Sequence, residues 1–433
     1  MRSIKDKLNS LYGRSEPVPE ETSDKKAEIR RNLERMFDHG TAKSFPKTSI
    51  EKKEYQPLEE LVPGQWINTS FGDIFRAEFS YDLNDLYGNL NLKKIFNYSA
   101  NHIRETFQLP DSHAIESILF LDTETTGLAG GSGTVAFMIG LGWVENETFI
   151  VHQYFISQLN HEEGMLDYIA DFAKRFTCIA SYNGKSYDVP LLNTRFVMNR
   201  LVPVFENISH IDFLHHSRSL WKYSLTNCKL KTLEAELMGL YREDDIPGEL
   251  IPEVYFEYLE AGLVERLERV FYHNRFDIIT MLGAMVLILD SIKNIEPEEN
   301  PLNDYAKGRM FNKKKEIQRS IRHYENVLNS SISLSRRIIT LLELAAIYKK
   351  ARDYETAAEL WRQVVAIDYS YTAYIELAKF HEHRLKNYQT ALDYAEKALE
   401  GLSSYKQKER TGVNKRITRL KRKIIKESEN RME

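Results

Sequence analysis

Between residues 115 and 290 the chain alternates between short apolar runs and longer segments with helical spacing. The first run is "SILFLDT", and the next two, "TVAFMIGLGWV" and "TFIVHQYFIS", flank the turn-like Glu145–Glu147. Runs of this length are typical of buried strands, and two of them around a short break predict a β-hairpin. Later runs are each followed by a helix-like segment, as in "TCIASYN" before "VPLLNTRFVMNRL". The order predicts a mixed α/β sheet with flanking helices.

The length and composition of the chain indicate more than one domain. A chain of 433 residues exceeds the usual size of a single domain, and an apolar content of 42% is sufficient for sizeable hydrophobic cores. Charge runs, turn signals and helix-forming stretches divide the sequence further. We predict a charged, flexible N-terminal segment (1–56), a small β-rich lead-in (57–110), the mixed α/β domain (111–295), a helical domain (300–405) and a basic C-terminal tail (406–433).

Charge and cysteine content limit the class of protein. The formal net charge is −4, so any affinity for nucleic acid would come from local patches. Cys178 and Cys228 have no CxxC spacing, which argues against a disulfide framework or a zinc site. The first residues have no apolar core of the signal-peptide type, and the longest apolar run, Met281–Leu289, is too short to span a bilayer. We therefore expect a cytoplasmic protein with no membrane partner.

The helical region contains an internal repeat, because the segment 344–361 resembles the segment 377–395. The spacing is the period of about 34 residues of tetratricopeptide repeats, each of which is a pair of helices. Two copies are fewer than the three or so that a free-standing array needs, so the segment 317–329 is interpreted as a degenerate first unit or a cap. Equivalent residues of the two copies lie 34 apart: Tyr354 and Tyr388, and Ala357 and Ala391.

Four acidic residues lie at the edges of predicted buried elements. Asp122 and Glu124 follow the first apolar run, and residues two apart in a strand point to the same face. Asp188 stands at a helix start after the next strand, and Asp277 stands at the predicted start of the helix "DIITMLGAMVLILDSI". Carboxylates at such edges are costly unless paired or metal-bound, and hard divalent cations prefer oxygen ligands. The pattern favours a cation site beyond the carboxyl ends of the strands, with helix capping as the alternative for the last two acids.

Three of these segments resemble the motifs of a known superfamily. "FLDTETTGL", "YNGKSYD" and "HNRFD", in this order, are similar to the three motifs of the DEDD superfamily of 3′–5′ exonucleases, which have a ribonuclease H-like fold. The closer resemblance is to the YprB-type branch, in which such a domain is joined to C-terminal tetratricopeptide (TPR) repeats. The resemblance covers about residues 115–290 and 340–400. It implies an α/β ribonuclease H-like domain followed by an α-helical TPR-like domain.

The resemblance also implies a set of site residues. Carried over to this chain, Asp122, Glu124, Asp188 and Asp277 would be the ligands of two Mg²⁺ or Mn²⁺ ions, and the first two would take part in catalysis. The expected substrate-binding residues are Thr126, Gly127, Leu128, Asn183 and Arg195. For Arg195, a salt bridge at the surface is the competing interpretation.

The general base of the family precedes the last Asp, either as a His five residues before it or as a Tyr four residues before it. Here Tyr272 has the first spacing and His273 the second, so each residue type stands in the other's place. Four residues are about one helical turn, so His273 would share a face with Asp277. We favour His273 as the base and keep Tyr272 as the alternative.

The sequence therefore favours a metal-dependent nuclease. It would be a 3′–5′ exonuclease that hydrolyses phosphodiester bonds of single-stranded or frayed DNA or RNA by a two-metal mechanism. The alternative is a catalytically weak nucleic-acid-binding or scaffold protein that acts mainly through its TPR-like repeats. The expected partners are nucleic acid with a single-stranded 3′ end and a protein bound by the repeats. The segment 242–252, "REDDIPGELIP", is predicted to be a turn that closes over the site or packs on it.

Overall fold

The computed structural model of the protein describes residues 57–127 and 133–430. The predicted flexible segment 1–56 lies outside the described residues, as does Leu128. All the described residues belong to one compact unit. None of the described helices is long and apolar enough to cross a membrane.

A seven-stranded mixed sheet forms the centre of the N-terminal part. Five of its strands are joined by antiparallel pairing, and the last two are added in parallel. The described residues contain nine strands, of which all but β3 and β4 belong to this sheet: β1 (Gly64–Thr69), β2 (Gly72–Asp82), β3 (Leu86–Tyr87), β4 (Leu90–Asn91), β5 (Ile118–Thr125), β6 (Ala136–Glu145), β7 (Thr148–Ile156), β8 (Cys178–Ser181) and β9 (Ser209–Asp212).

The strand order is β1-β2-β7-β6-β5-β8-β9, and β3 pairs with β4 in a separate two-stranded sheet. The predicted hairpin is β6–β7, in which Glu145 pairs with Thr148. The two turn residues Asn146 and Glu147 have φ angles of 49° and 59°. Positive φ at both central positions gives a turn whose twist matches that of the flanking strands. The predicted mixed sheet is confirmed, and β1 and β2 of the lead-in extend the same sheet.

Helices cover both faces of this sheet, which explains the nearly continuous apolar run of β5. Leu119 and Leu121 face one hydrophobic core, whereas Ile118 and Phe120 face the other. The helices of this part are α1 (Leu58–Leu61), α2 (Ala100–Phe107), α3 (Glu162–Ala173), α4 (Asp188–Met198), α5 (Phe213–Trp221), α6 (Leu230–Leu233), α7 (Ile251–Ala261) and α8 (Leu267–Lys293), with short 3-10 turns at Leu92–Asn97, Ile115–Ser117, Leu159–His161 and Gly248–Leu250 and a π-helical turn at Glu234–Met238.

The C-terminal part is helical. Consecutive helices are joined by short loops and pack against each other, which makes them antiparallel neighbours. The first of these helices also packs against α5 of the sheet region. They are α9 (Pro301–Lys313), α10 (Ile317–Asn329), α11 (Leu334–Lys350), α12 (Tyr354–Ile367), α13 (Tyr371–Phe380), α14 (Tyr388–Glu400) and α15 (Gln407–Glu429), with a π-helical turn at His381–Leu385.

The turns before α12 and α14 have the same local structure. Arg352 and Lys386, 34 residues apart, both have positive φ, at 67° and 55°. The next residues, Asp353 and Asn387, cap the following helices with side-chain oxygens that accept the N3 backbone N–H at 3.1 and 3.0 Å. The second copy is longer by one residue, and the chain accommodates it in the π-helical turn His381–Leu385 at the end of α13.

The basic segment after residue 406 forms α15, which packs against α14. Val413 and Leu420 of α15 are buried in the same cluster as Ala391 and Ala395 of α14. Several of its cations are engaged with acids of the preceding helices, whereas Lys415 and Arg422 are exposed. This part of the chain is therefore a cover for the last helix pair as well as a source of positive charge.

Candidate active site

The candidate site begins where β5 leaves the sheet. Asp122 and Glu124 follow Phe120 at two-residue intervals and so share its face of the strand, as the spacing predicts. The pairing of β5 with β6 becomes irregular between Glu124 and Thr125. The two carboxylates therefore stand at the carboxyl edge of the strand, where mixed sheets commonly bind ligands.

Asn274 of α8 holds the first of these carboxylates. Its Nδ2 donates to Oδ2 of Asp122 at 2.9 Å, and the amide of buried Gln153 donates to its Oδ1 at 2.8 Å. A glycine in β6 permits this approach, because a Cβ on Gly140 would lie 2.2 Å from Oδ1 of Asn274. The strand and the helix are thus joined by a buried polar chain that fixes the Asp122 side chain.

Asp188 is the first residue of α4, as predicted. Thr123, on the opposite face of β5 from Asp122, donates its hydroxyl to Oδ1 of Asp188 at 2.5 Å. This hydrogen bond joins the start of α4 to the end of β5. It brings a third carboxylate to the same strand end.

The predicted position of Asp277 at the start of a helix is wrong. Helix α8 is 27 residues long and begins at Leu267, so Asp277 lies in its interior. The buried residues Val270 and Phe271 extend the apolar face upstream of the polar His273–Asp277 stretch. His273, Asn274 and Asp277 of this stretch face the site, and their polarity makes the stretch resemble a helix boundary in the sequence.

The four carboxylates influence one another electrostatically. Burial raises the pKa of Asp122 well above its usual range, and the other three carboxylates raise it further. Burial likewise raises the pKa of Glu124 to about 8, against the lowering influence of His273. Burial also raises the pKa of Asp188 to about 6, although Thr123 donates to it. Burial thus makes ionised carboxylates costly here, and the neighbouring carboxylates add to that cost at Asp122 and Glu124.

Arg242 is a site residue that the sequence did not reveal. Its Nη2 donates to Oδ1 of Asp277, and its Nε donates to Oε2 of Glu234 at 2.8 Å. Both Arg242 and Glu234 are almost completely buried. Nη2 also donates to Oε1 of Glu234, and this bidentate contact holds the guanidinium in one orientation, so Arg242 fixes the Asp277 side chain on α8.

His273 lies one turn before Asp277 on α8, with 3.7 Å between His273 Nε2 and Asp277 Oδ2. Its Nδ1 is 2.8 Å from Oδ1 of Asp245, another site residue that the sequence did not reveal. Burial lowers the pKa of His273, but the hydrogen bond to Asp245 and the neighbouring carboxylates outweigh burial and raise it above its ordinary value. Tyr272, the alternative base, packs its ring on Phe276 with centroids 4.3 Å apart.

Arg242 and Asp245, the two site residues that the sequence did not reveal, both belong to the segment 242–252, which packs on the site. The only sequence signal for them is the run of charges before Pro247 and Gly248. A charge run of this kind is typical of a solvated turn, and the contacts to α8 span about thirty residues of sequence. The sequence therefore gave no reason to prefer Arg242 or Asp245 to their charged neighbours.

The predicted substrate-binding residues differ in their burial and in their hydrogen-bond partners. Thr126 is buried, and its hydroxyl accepts the backbone N–H of Val135 at 3.0 Å. A Cβ on Gly127 would have open space around it, with Thr134 Oγ1 at 3.9 Å as the nearest contact. Asn183 has a φ of 70°, and its N–H donates to Asp212 at 2.9 Å.

Arg195 is engaged in a buried ion pair with Glu162 of α3, in which Nε lies 2.7 Å from Oε1. Both side chains are largely shielded from solvent. Arg195 is seven residues after Asp188, which is roughly 10 Å along α4. The structure therefore places it two turns from the carboxylates, where it joins α4 to α3.

No group of three or more His, Cys, Asp or Glu side chains within residues 57–127 and 133–430 has the arrangement of a preformed metal centre. The donor set nevertheless fits hard divalent cations, because it consists of four carboxylates. Burial raises the pKa of Asp122, Glu124 and Asp188, and neighbouring carboxylates raise the pKa of the first two further, so a bound cation would relieve an unfavourable concentration of acids. The residues that could hold such cations are Asp122, Glu124, Asp188 and Asp277.

This chain is similar to known proteins in both sequence and structure. A model of the RNase_H superfamily matches residues 119–288. A protein of Bacillus subtilis (strain 168) named uncharacterized protein YprB is 32% identical over 313 residues, which are 71% of this chain and 75% of that protein. The solved structure of the family B DNA polymerase from the hyperthermophilic archaeon Pyrobaculum calidifontis is similar to 54% of this chain and 29% of its own, with 14% identity and a TM-score of 0.33.

Proposed function

Because the chain belongs to the family of the Bacillus subtilis protein YprB and carries an RNase_H superfamily domain, we propose that it is a metal-dependent 3′–5′ exonuclease of the DEDD type. Membership of the RNase_H superfamily already suggests a nuclease that acts on nucleic acid. The finer assignment is supported by one observation above all. Four carboxylates from β5, α4 and α8 lie near one strand end, where burial raises the pKa of Asp122 and the charges of the other three raise it further.

Asp122, Glu124, Asp188 and Asp277 would hold two Mg²⁺ or Mn²⁺ ions. Two divalent cations at a phosphodiester stabilise the attacking and the leaving oxygen of an in-line displacement. The protein side chains have other tasks. Asn274 and Thr123 keep two of the carboxylates in fixed orientations, and Arg242 does the same for Asp277.

His273 is the proposed general base. Its Nε2 faces Asp277, and it lies close enough to Glu124 to influence the pKa of that carboxyl. A base must stand within reach of the proton that it removes, directly or through one water. Tyr272, in contrast, is occupied by its ring contact with Phe276. These contacts favour the imidazole over the phenol as the group that takes the proton of the attacking water.

The substrate in this proposal is the single-stranded or frayed 3′ end of DNA or RNA. Thr126, Gly127, Leu128 and Asn183 remain the predicted substrate-binding residues, and Leu128 lies outside the described residues. A Cβ on Gly127 would make only an ordinary contact with Thr134, which supports close approach of a nucleotide to the backbone at Gly127.

The helix pairs α11–α12 and α13–α14 are proposed to be TPR-like repeats that bind a protein partner. Support comes from the equivalent turns, with residues of positive φ and helix caps 34 residues apart. Buried Ala357 and Ala391 occupy the same position in the two pairs. Small residues at such positions allow helices to pack closely.

The proposal is tested by measuring Mn²⁺ binding and the degradation of a 3′-labelled oligonucleotide on one preparation. We expect saturable Mn²⁺ binding, degradation that a chelator stops, and loss of both after Asp122→Asn combined with Asp188→Asn. Exposed Glu116 precedes β5, and Glu116→Gln is the matched control. Mn²⁺ binding that is unchanged in the double variant would contradict the proposal.

A further inference from the structure

The segment that follows the π-helical turn Glu234–Met238 encloses the imidazole of His273. Oδ1 of Asp245 lies 2.8 Å from His273 Nδ1. On the other side of the ring, a Cβ on Gly248 would lie 3.9 Å from Nε2, which is ordinary van der Waals contact. The side chains of Asp245 and His273 are 5% and 11% exposed, so water competes little for their contact.

Asp245 is itself held in place by two cations. Lys231 Nζ lies 2.6 Å from its Oδ2, and Arg242 Nη1 lies 3.4 Å from the same oxygen. Arg242 in turn is anchored by Glu234. Because one oxygen of Asp245 faces these donors, the other oxygen is directed at the imidazole and cannot rotate away without breaking the ion pairs.

The two nitrogens of His273 therefore have different tasks. Nδ1 faces a carboxylate that only accepts hydrogen bonds, so Nδ1 carries a proton. Nε2 faces the carboxylate site, 3.7 Å from Oδ2 of Asp277. We propose that Asp245 is a positioning residue that holds His273 with Nδ1–H toward itself and Nε2 toward the phosphodiester substrate. The role in catalysis rests on the proposed nuclease function, whereas the orientation of the imidazole does not.

A purely structural role for Asp245 is the competing explanation, and the isosteric variant Asp245→Asn separates the two. Lys231 and Arg242 are donors, so the carboxamide oxygen of the variant would turn toward them. Its NH₂ group would then donate to Nδ1 of His273, and the ring proton would move to Nε2. An exchange of this kind leaves the fold intact and places the wrong tautomer in the site.

The first test is NMR of full-length protein with ¹⁵N-labelled histidine, recorded without metal at a pH above the raised pKa of His273, where the imidazole is neutral and has one N–H. The chain has 12 histidines, and the His273 signals are those that disappear in His273→Gln. We expect protonated Nδ1 in the wild type and protonated Nε2 in Asp245→Asn. Exposed Glu243 has no hydrogen bond or ion pair in the described part of the chain, so Glu243→Gln is the control. Unchanged His273 signals in Asp245→Asn would overturn the proposal.

The second test is kinetic, with a labelled oligonucleotide and Mg²⁺. We expect Asp245→Ala to lower kcat by about 10- to 100-fold, the usual effect of losing a group that orients a site residue. Asp245→Asn should lower kcat further, with KM nearly unchanged in both variants, because only the conservative variant imposes the wrong tautomer. A structural role predicts the reverse order, with the isosteric variant milder, and that result would overturn the inference. A wild type without nuclease activity would refute the proposed function, and the NMR result would then decide the inference alone.

Discussion

At the scale of single residues, the candidate site keeps acidic groups where their charge is unfavourable. Asp122 is the clearest case, since burial and three neighbouring acids all raise its pKa. A folded protein tolerates such an arrangement when function requires it and the rest of the fold supplies the stability. Removing the charge should therefore cost activity and spare stability.

Asp122→Asn should abolish nuclease activity and leave the metal-free Tm unchanged or higher. The carboxamide oxygen of the variant can still accept the hydrogen bond of Asn274, while the repulsion among the acids decreases. Thermal melts in a chelator and an assay of oligonucleotide degradation measure the two effects. Full activity, or a large fall in the metal-free Tm, would contradict the assignment of Asp122 to a cation site.

His273→Ala should reduce kcat by roughly two to four orders of magnitude, the usual share of a general base, and still bind Mn²⁺. Tyr272→Phe should have a much smaller effect, since the phenyl ring preserves the contact with Phe276. Single-turnover cleavage rates and Mn²⁺ titrations compare the two variants. An inactive Tyr272 variant beside a nearly normal His273 variant would assign the base to Tyr272.

The sequence predicted part of this site because some of its geometry is local. The period of a strand places Asp122 and Glu124 on one face, and one helical turn places His273 beside Asp277. Arg242 and Asp245 reach the same site across about thirty residues. Such long contacts depend on the path of the chain after α6, which no local pattern encodes.

At the scale of secondary-structure elements, the π-helical turn His381–Leu385 joins the helix pair α13–α14 to α15. It contains Glu382, whose side chain is completely shielded from solvent. Its Oε1 accepts from Arg419 Nε at 2.9 Å and from Lys423 Nζ at 3.0 Å, and its Oε2 accepts from Arg416. One acid thus holds three cations of the basic helix.

This contact makes stability depend on pH. Burial raises the pKa of Glu382, but its hydrogen bonds to Arg419 and Lys423 and the charge of Arg416 outweigh burial and lower it from 4.5 to about 2. The stabilisation is complete above pH 4.5 and is lost as the pH falls toward 2, because the unfolded chain takes up the proton first.

Glu382→Gln should therefore lower the Tm at pH 7, and its difference from the wild type should shrink between about pH 5 and pH 2. Thermal melts across that range measure the difference. Glu396→Gln is the control, because its contact with Lys421 at 3.1 Å is exposed and should contribute little. A Tm difference that stays constant with pH would contradict the account.

The two repeat units should respond alike to the same substitution. Ala357 and Ala391 are both fully buried at equivalent positions, so Ala357→Leu and Ala391→Leu should each destabilise by about 1–3 kcal/mol through overpacking. Exposed Ala351 gives the control Ala351→Leu. Denaturant melts compare the three variants, and destabilisation by only one of the two buried substitutions would argue against equivalent repeats.

At the scale of elements, periodicity predicted where strands and helices occur better than where they begin. The hairpin β6–β7 and the start of α4 agree with the sequence, because apolar runs and turn residues mark them. Helix α8 begins ten residues earlier than predicted. Its polar residues His273, Asn274 and Asp277 face the candidate site and interrupt the apolar periodicity from which a helix start is predicted.

At the scale of the whole molecule, one sheet organises the N-terminal part of the chain. The lead-in contributes β1 and β2 to it, and the parallel strands β5, β8 and β9 form its other edge. The sequence could predict the mixed sheet but not the pairing of β2 with β7, since strands some seventy residues apart carry no local signal of their register. The similarity to the Bacillus subtilis protein YprB covers 71% of the chain.

The central claim is that the four-carboxylate site removes nucleotides from a 3′ end with the help of divalent cations. The most direct measurement follows single-stranded DNA and RNA oligonucleotides labelled at the 5′ end, with free or blocked 3′ ends, in Mg²⁺ or Mn²⁺. The account predicts stepwise shortening of the free 3′ ends by the wild type, protection of the blocked ends, and no shortening in a chelator or with Asp122→Asn. Shortening by Asp122→Asn at the wild-type rate, or no cleavage of any substrate by the wild type with metal, would contradict it.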